Sequence, residues 1–161
     1  LEDNPNLIVL KSISKSFGVA GLRLGIIVSS DRDRIAFMKK DVAIWNINSF
    51  AEYYMQIIEK YKDDYEEAME HIKVVRDDYI EELQKIEQLH VYPSQANYVM
   101  CRIKTGITST QLADVMLNKY NILIKDLSRK DGLDGGNYIR LSVKNEEENA
   151  VIIKALQEIF A

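Results

Sequence analysis

The stretch from Ser12 to Gly25, SISKSFGVAGLRLG, constrains the fold most, because it places a flexible connection between two apolar runs. The run before it, NLIVLKS, has the length and composition of a buried parallel strand. The run that continues it, LRLGIIVSS, predicts a second strand, with Gly25 at a close approach of two backbones. Lys15 therefore lies among serines and glycines in a loop where the backbone can fold tightly around a ligand.

Helical patterns follow this loop as far as Pro93. Two amphipathic helices are predicted, the first capped by Ser30 or Asp31 and the second by Ser49. A longer helix is predicted from Asp63 to about Gln88, with a single apolar stripe. The stripe consists of Tyr65, Met69, Ile72, Val75, Tyr79, Leu83 and Ile86.

The pattern changes after Pro93, where strands alternate with helices in the way typical of a small α/β or α+β unit. The predicted strands are ANYVMCRI, NILIKDL and YIRLSV, and the predicted helix caps are Thr108 or Ser109 and Asn145. The predicted fold class is therefore α/β. We expect the end of a large domain with a mostly parallel sheet, then a long interdomain helix, then a small α+β domain, with boundaries at 1–60, 61–90 and 91–161.

Composition excludes several kinds of protein. The 161 residues carry a net charge of −4, which argues against nucleic acid or an anionic membrane as the main partner. One cysteine, Cys101, permits no internal disulfide and fits a reducing cytoplasm. No apolar run approaches the roughly 18 residues of a membrane helix, and no metal site is predicted. The abrupt start in a strand-like run, without methionine, predicts a fragment that lacks an N-terminal part, although a removed leader or tag would give the same pattern.

Four interpretations of Lys15 follow from the residues. The glycines have the wrong spacing for either phosphate-loop pattern. Ser12 and Lys15 match S-x-x-K, and residues 104–106 match K-T-G of penicillin-binding enzymes, but the S-D-N element is missing. A solvated loop lysine is the ordinary interpretation. The fourth is an amine that forms an imine with pyridoxal phosphate, whose phosphate would find hydroxyls on Ser12 and Ser14 and a guanidinium on Arg23.

The same stretch resembles the lysine motif of fold-type I, class I/II pyridoxal-phosphate-dependent aminotransferases, S/T-x-S-K-x-[FY]-x-[LIV]-[APG]-G-x-R-x-G. The histidinol-phosphate aminotransferase branch is the most similar. YPSQANYVM resembles its P-S-x-A-N-[FY] strand, and YNILIKDL followed by a glycine loop and NYIRLSV resembles its last segment. The motifs occur in the family's order, so the resemblance implies that residues 1–60 end the pyridoxal-phosphate-binding domain.

The resemblance also implies roles for individual residues. Lys15 would be the Schiff-base lysine and proton shuttle, with pyridoxal 5'-phosphate as cofactor. Ser12, Ser14 and Arg23 would bind the cofactor phosphate. Arg140 would grip the substrate's α-carboxylate, where its alternative is a surface salt bridge, and Asn97 would lie near the substrate.

Two departures from the branch affect the substrate. Lys125 stands where the branch commonly has arginine before aspartate, so a point charge replaces a forked donor. IWNINSFAE resembles the P-W-x-[VI]-N-x-x-A segment of threonine-phosphate decarboxylases, with Ile44 in place of proline. Trp45 and Asn48 would then line the pocket or a dimer interface, unless Trp45 simply packs.

The activity implied by the resemblance is transamination. An amino group would move between an amino acid, or an amino-acid-derived phosphate ester, and an oxo acid, in a cytoplasmic homodimer. The alternatives are a decarboxylase of the threonine-phosphate type, a non-catalytic dimerisation module and a Ser-Lys acyl enzyme. The isolated chain is expected to bind the cofactor weakly and to be inactive, because in this family an upstream segment supplies further cofactor contacts.

Overall fold

The computed structural model describes residues 1–104, 106–133 and 136–161. The chain forms two compact units, Leu1–Glu66 and Glu67–Ala161. Helices and sheets are mixed, so the predicted α/β class is confirmed. The predicted division into three parts stays a prediction. Within the described ranges, no helix has the length and apolar character needed to span a membrane.

The first unit begins with a two-stranded ribbon and continues in helices. Its elements are β1 (Val9–Ser12), α1 (Ile13–Ser16), β2 (Gly25–Val28), α2 (Arg32–Asp41) and α3 (Ser49–Ile57), with 3-10 turns at Ala20–Leu22 and Ile58–Tyr61. The carboxylate of Asp31 accepts a hydrogen bond from the Arg34 amide and caps α2, as predicted. The cap of α3 is Asn48, one residue before the predicted Ser49.

The pairing of β1 differs from the prediction of a buried parallel strand. β1 pairs antiparallel with β2, with Val9 opposite Val28 and Ser12 opposite Gly25. The connection holds only a one-turn helix and a 3-10 turn, which reverse the chain, whereas parallel strands need a crossover that returns along the sheet. Both strands are exposed along their whole length, so the predicted burial is also not observed. A β-carbon at Gly25 would lie 3.4 Å from the Lys11 carbonyl oxygen, which is the predicted close approach.

The second unit contains an antiparallel sheet of four strands in the order β3-β4-β6-β5. Its strands and helices are β3 (Leu89–Val91), β4 (Tyr98–Ile103), α5 (Ser109–Tyr120), β5 (Lys125–Asp126), β6 (Tyr138–Ser142) and α6 (Glu146–Phe160). The long helix α4 (Lys62–Gln84) starts in the first unit and lies mostly in the second.

One face of this sheet is buried and the other is exposed. Val99 and Cys101 on β4, and Ile139 and Leu141 on β6, are buried, whereas the residues between them are more exposed. Burial raises the pKa of the Cys101 thiol to about 12, so this cysteine is an inert core residue.

The apolar stripe predicted for α4 is confirmed in its second half. Val75, Tyr79 and Leu83 are buried in the core, whereas Met69 is 36% exposed. The helix ends at Gln84 rather than near Gln88, because the amides that follow bond to carbonyl oxygens three residues back and turn the chain into β3.

The ends of α5 and α6 follow the sequence closely. Thr108 and Gln111 form a reciprocal capping box at the start of α5, and Asn145 caps α6 through the Glu148 amide, 2.8 Å from its side-chain oxygen. Asn121 ends α5 in the left-handed conformation. This turn leaves only Lys125–Asp126 to pair with β6, so the strand predicted for NILIKDL is short.

Candidate functional site

Lys15 lies in the single turn of α1, and it is exposed. Hydrogen bonds fasten this turn to the start of the next strand: the Ser14 hydroxyl accepts from the Leu24 amide at 2.8 Å and donates to the Leu24 carbonyl at 3.2 Å. The Ser14 amide donates to the same carbonyl at 3.2 Å. Because Lys15 follows Ser14 and Arg23 precedes Leu24, these bonds hold the backbones of Lys15 and Arg23 close together.

The two serines predicted to bind phosphate have different surroundings. Ser14 is buried, and its hydroxyl is already engaged with Leu24. Ser12 is exposed at the junction of β1 and α1, and its side chain makes no capping hydrogen bond. Ser12 is therefore the better candidate for an external anion, while the roles of both serines stay predictions.

Arg23 is exposed and holds a left-handed backbone conformation, with φ at 54° and ψ at 36°. Such a conformation costs about 1–2 kcal/mol for a non-glycine residue. The Leu24 bonds restrain it on one side. On the other, the Asn48 amide nitrogen donates to the Leu22 carbonyl at 2.8 Å. No described carboxylate pairs with Arg23, so its charge is available to an anion.

Aromatic packing supports the chain after Lys15. The rings of Phe17 and Tyr65 stack with centroids 4.4 Å apart, and the Tyr65 hydroxyl donates to the Ser16 carbonyl at 3.3 Å. Gly18 follows with φ at 68°, a conformation that favours glycine. Sequence reasoning placed Tyr65 in the apolar stripe of α4, and nothing in the pattern indicated this contact.

Asn97 and Arg140, the predicted substrate residues, line one pocket of the second unit. The β4–β6 pairing brings them together, and the Val143 amide donates to the Asn97 carbonyl at 2.9 Å. The pocket has a volume of about 450 Å³. Its other lining residues are Tyr98, Ser142, Val143 and Lys144. The lining therefore has two cations and no carboxylate.

The exposed face beside this pocket carries a further cation. Lys125 on β5 lies directly opposite Arg140 on β6. Neither side chain pairs with a described carboxylate. The Arg140 guanidinium carbon instead lies 5.0 Å from the centroid of the Tyr98 ring. The sequence pattern marked Lys125 as a departure and included Tyr98 at the [FY] position of P-S-x-A-N-[FY], but it predicted neither the contact of Tyr98 with Arg140 nor Lys144.

Asp126 anchors the short strand that carries Lys125. Its carboxylate accepts hydrogen bonds from the Ser128 amide at 2.9 Å, the Ser128 hydroxyl at 2.8 Å and the Thr110 hydroxyl at 2.8 Å. Partial burial raises the pKa of Asp126, but these hydrogen bonds outweigh it and lower the pKa to about 2. The carboxylate is thus ionised at neutral pH and ties β5 to the start of α5.

Two predicted features include residues that lie outside the described ranges. Thr105 of the K-T-G match is one of these residues, while the Lys104 ammonium donates to the Glu87 carbonyl at 2.9 Å. Asp134 and Gly135 of the predicted glycine loop also lie outside the described ranges.

Comparison with known proteins identifies the family. The family model for aminotransferase class I and II matches residues 1–156. The chain belongs to this family. The resemblance inferred from the lysine motif is therefore confirmed, and the cofactor of this family member is pyridoxal 5'-phosphate.

Relatives in this family include both decarboxylases and aminotransferases. The chain is 34% identical to an L-serine phosphate decarboxylase of Campylobacter jejuni, over 96% of the chain and 40% of that protein. A decarboxylase structure from Sulfurospirillum multivorans is 34% identical with a TM-score of 0.86, over 98% of this chain and 44% of that one. The histidinol-phosphate aminotransferase structure from Clostridium acetobutylicum is 31% identical with a TM-score of 0.89, over 99% of this chain and 47% of that one. The chain thus spans less than half of each relative.

The donor groups of the first unit fit this cofactor. Lys15 offers an exposed amine, Ser12 an exposed hydroxyl and Arg23 a guanidinium without a described carboxylate partner. Amine, hydroxyl and guanidinium are the groups that an aldehyde with a phosphate dianion requires.

Proposed function

We propose that this chain is the lysine-bearing part of a pyridoxal-phosphate-dependent enzyme that acts on a phosphorylated amino acid. The supporting observation is the pair of cations, Lys125 and Arg140, that face each other on the exposed side of the sheet. Lys144 adds a third cation in the adjoining pocket, where its ammonium also lies 3.9 Å from the Glu148 carboxylate. A phosphate dianion and a carboxylate on one substrate would be matched by such a group of cations. Serine phosphate and histidinol phosphate, in the names of the relatives, also carry phosphate.

Residues of the first unit would hold the cofactor. When bound, pyridoxal phosphate draws electrons away from the α-carbon of the substrate and weakens its bonds. The amine of Lys15 would attach the cofactor and later carry a proton to or from the reacting carbons. Ser12 and Arg23 would hold the cofactor phosphate. The bonds between Ser14 and Leu24 would keep the attachment point and the phosphate contacts at a fixed separation.

The placement of the substrate's anions would decide which bond breaks, because the bond held perpendicular to the cofactor ring is the one that is weakened. If Arg140 and Lys125 together bind the substrate phosphate, the α-carboxylate is not bound by either cation and can be lost as carbon dioxide. We propose this decarboxylation as the first candidate. It is supported by the in-register cations and by the two decarboxylase relatives.

Transamination is the second candidate and the reaction predicted from the lysine motif. It would follow if Arg140 held the α-carboxylate, since the α-hydrogen rather than the carboxylate would then be the group that is lost. The likeness to the Clostridium acetobutylicum aminotransferase supports it.

Product analysis on the full-length enzyme separates the candidates. The enzyme would be incubated with L-serine phosphate or L-threonine phosphate, with and without an oxo acid. Decarboxylation predicts carbon dioxide and an amine phosphate in both incubations. Transamination predicts a new amino acid that forms only with the oxo acid. If neither phosphorylated substrate is consumed while unphosphorylated amino acids are, the proposed substrate class is wrong.

We further propose that the enzyme is a cytoplasmic homodimer. Ile44 and Trp45 are each 91% exposed, which is unusual for large apolar side chains and would suit burial against a second subunit. The mass of the full-length enzyme in solution, measured by light scattering, tests the dimer.

A further inference from the structure

We propose that Tyr98 is a positioning residue that holds the Arg140 guanidinium at the substrate pocket through a cation–π contact. The inference deepens the proposed function, on which it rests for the role of Arg140. It concerns the aromatic ring of Tyr98 rather than its hydroxyl.

Strand register makes Tyr98 and Arg140 diagonal neighbours. Tyr98 lies opposite Ser142, and Arg140 lies opposite Met100, on the β4–β6 ladder. Both residues are exposed, whereas Val99 and Leu141 between them are buried, so Tyr98 and Arg140 share the open face of the sheet. The distance of 5.0 Å from the guanidinium carbon to the ring centroid lies within the roughly 6 Å range of a cation–π contact.

Electrostatic interactions favour a position of the Arg140 guanidinium near Tyr98 and away from Lys125. Lys125 lies opposite Arg140 on the other neighbouring strand, and like charges in that relation repel. No described carboxylate pairs with Arg140 to offset the repulsion. The negative face of the Tyr98 ring therefore draws the guanidinium toward β4, where Asn97 and Lys144 line the same pocket as Tyr98 and Arg140.

Restricting Arg140 before the substrate arrives would lower the cost of binding. A long arginine side chain on an exposed strand samples many rotamers, and binding must order it. A ring that already holds the guanidinium removes part of this entropic cost. The effect belongs to substrate binding, so it should appear in KM and in anion affinity rather than in kcat.

The test compares Tyr98→Phe, Tyr98→Trp and Tyr98→Leu in the full-length enzyme loaded with cofactor. Calorimetric titration with inorganic phosphate measures anion affinity. Loss of the ring in the leucine variant should weaken phosphate binding about 2–5-fold, the size of an exposed cation–π contact. The phenylalanine and tryptophan variants should stay within about 2-fold of the wild type or bind more tightly. KM for the phosphorylated substrate should follow the same order with kcat unchanged.

A second readout needs no substrate. Phenylglyoxal modifies accessible guanidinium groups, and mass spectrometry gives its rate at Arg140. The rate should rise about 2–5-fold in the leucine variant and stay unchanged in the phenylalanine variant. Equal rates and affinities in the leucine variant and the wild type would overturn the proposal, and so would a phenylalanine variant that behaves like leucine. If the proposed function alone is wrong, Arg140→Ala leaves phosphate affinity unchanged while the modification rates still differ between the Tyr98 variants.

Discussion

Arg23 combines an unfavourable backbone conformation with a charge that no described carboxylate neutralises. A glycine would adopt the left-handed conformation without strain, but it would supply no guanidinium. In natural proteins, residues with such backbone strain are concentrated at functional sites, where the side chain is needed for binding or catalysis. This residue therefore offers a direct way to separate stability from cofactor binding.

We predict opposite effects of Arg23→Gly on stability and on cofactor affinity. Arg23→Gly and Arg23→Ala both remove the guanidinium, so both should weaken pyridoxal phosphate binding to the full-length enzyme. Only glycine relieves the strain, so the glycine variant should be more stable than the alanine variant by about 1 kcal/mol. Cofactor titration and denaturant unfolding of the cofactor-free protein measure the two effects. If both variants bind the cofactor as tightly as the wild type, Arg23 does not bind the cofactor phosphate.

Asp126 gives a pH-dependent prediction. The pKa of its carboxyl is about 2 in the folded protein and 3.8 when unperturbed. A lowered folded pKa means that the ionised carboxylate stabilises the fold above about pH 4 and that this contribution is lost as pH falls toward 2. Asp126→Asn should therefore destabilise the protein at pH 7 by up to roughly 2 kcal/mol. Unfolding midpoints of both proteins should converge between pH 4 and pH 2, and a constant difference across that range would contradict the account.

At the scale of elements, the start of α3 is joined to the loop that carries Arg23. Asn48 caps the helix through its side-chain oxygen, 3.0 Å from the Ala51 amide, and its nitrogen reaches the Leu22 carbonyl. One side chain thus fixes the helix start and the backbone before Arg23.

Two substitutions of Asn48 should separate these contacts. Asn48→Ser keeps a good helix cap but lacks the nitrogen that reaches Leu22, whereas Asn48→Ala loses both. The alanine variant should be less stable than the serine variant by about 1 kcal/mol. Cofactor affinity should fall to a similar extent in both. A serine variant with full cofactor affinity would show that the Leu22 contact does not position Arg23.

Local sequence signals predicted the elements well where short-range chemistry decides them. The caps at Asp31, Thr108 and Asn145 follow from side chains that bond amides within one turn. The length of β5 and the antiparallel pairing of β1 were not predicted. Both depend on how the chain reverses in the preceding residues, and an apolar run does not encode that.

At the scale of the whole molecule, the predicted site residues fall into two groups. Lys15, Ser12 and Arg23 lie in the first unit, and Asn97 and Arg140 lie in the second. The motifs predicted both groups, because the lysine loop, the segment after Pro93 and the last strand carry recognisable residues at fixed spacing, and the roles of these residues stay predictions. Tyr98 falls at the [FY] position of the P-S-x-A-N-[FY] motif, but its contact with Arg140 joins segments far apart in sequence, as does the contact of Tyr65 with Phe17, and no local pattern predicts such contacts.

The attachment of pyridoxal phosphate to Lys15 is tested most directly by borohydride reduction of the cofactor-loaded, full-length enzyme, followed by peptide mass spectrometry. Lys11 provides a control, because it is an exposed lysine only four residues earlier. The account predicts a stable phosphopyridoxyl adduct on Lys15, unchanged in Lys11→Arg and absent in Lys15→Arg. An adduct on Lys11 or another lysine of the wild-type enzyme, with Lys15 unmodified, would contradict it.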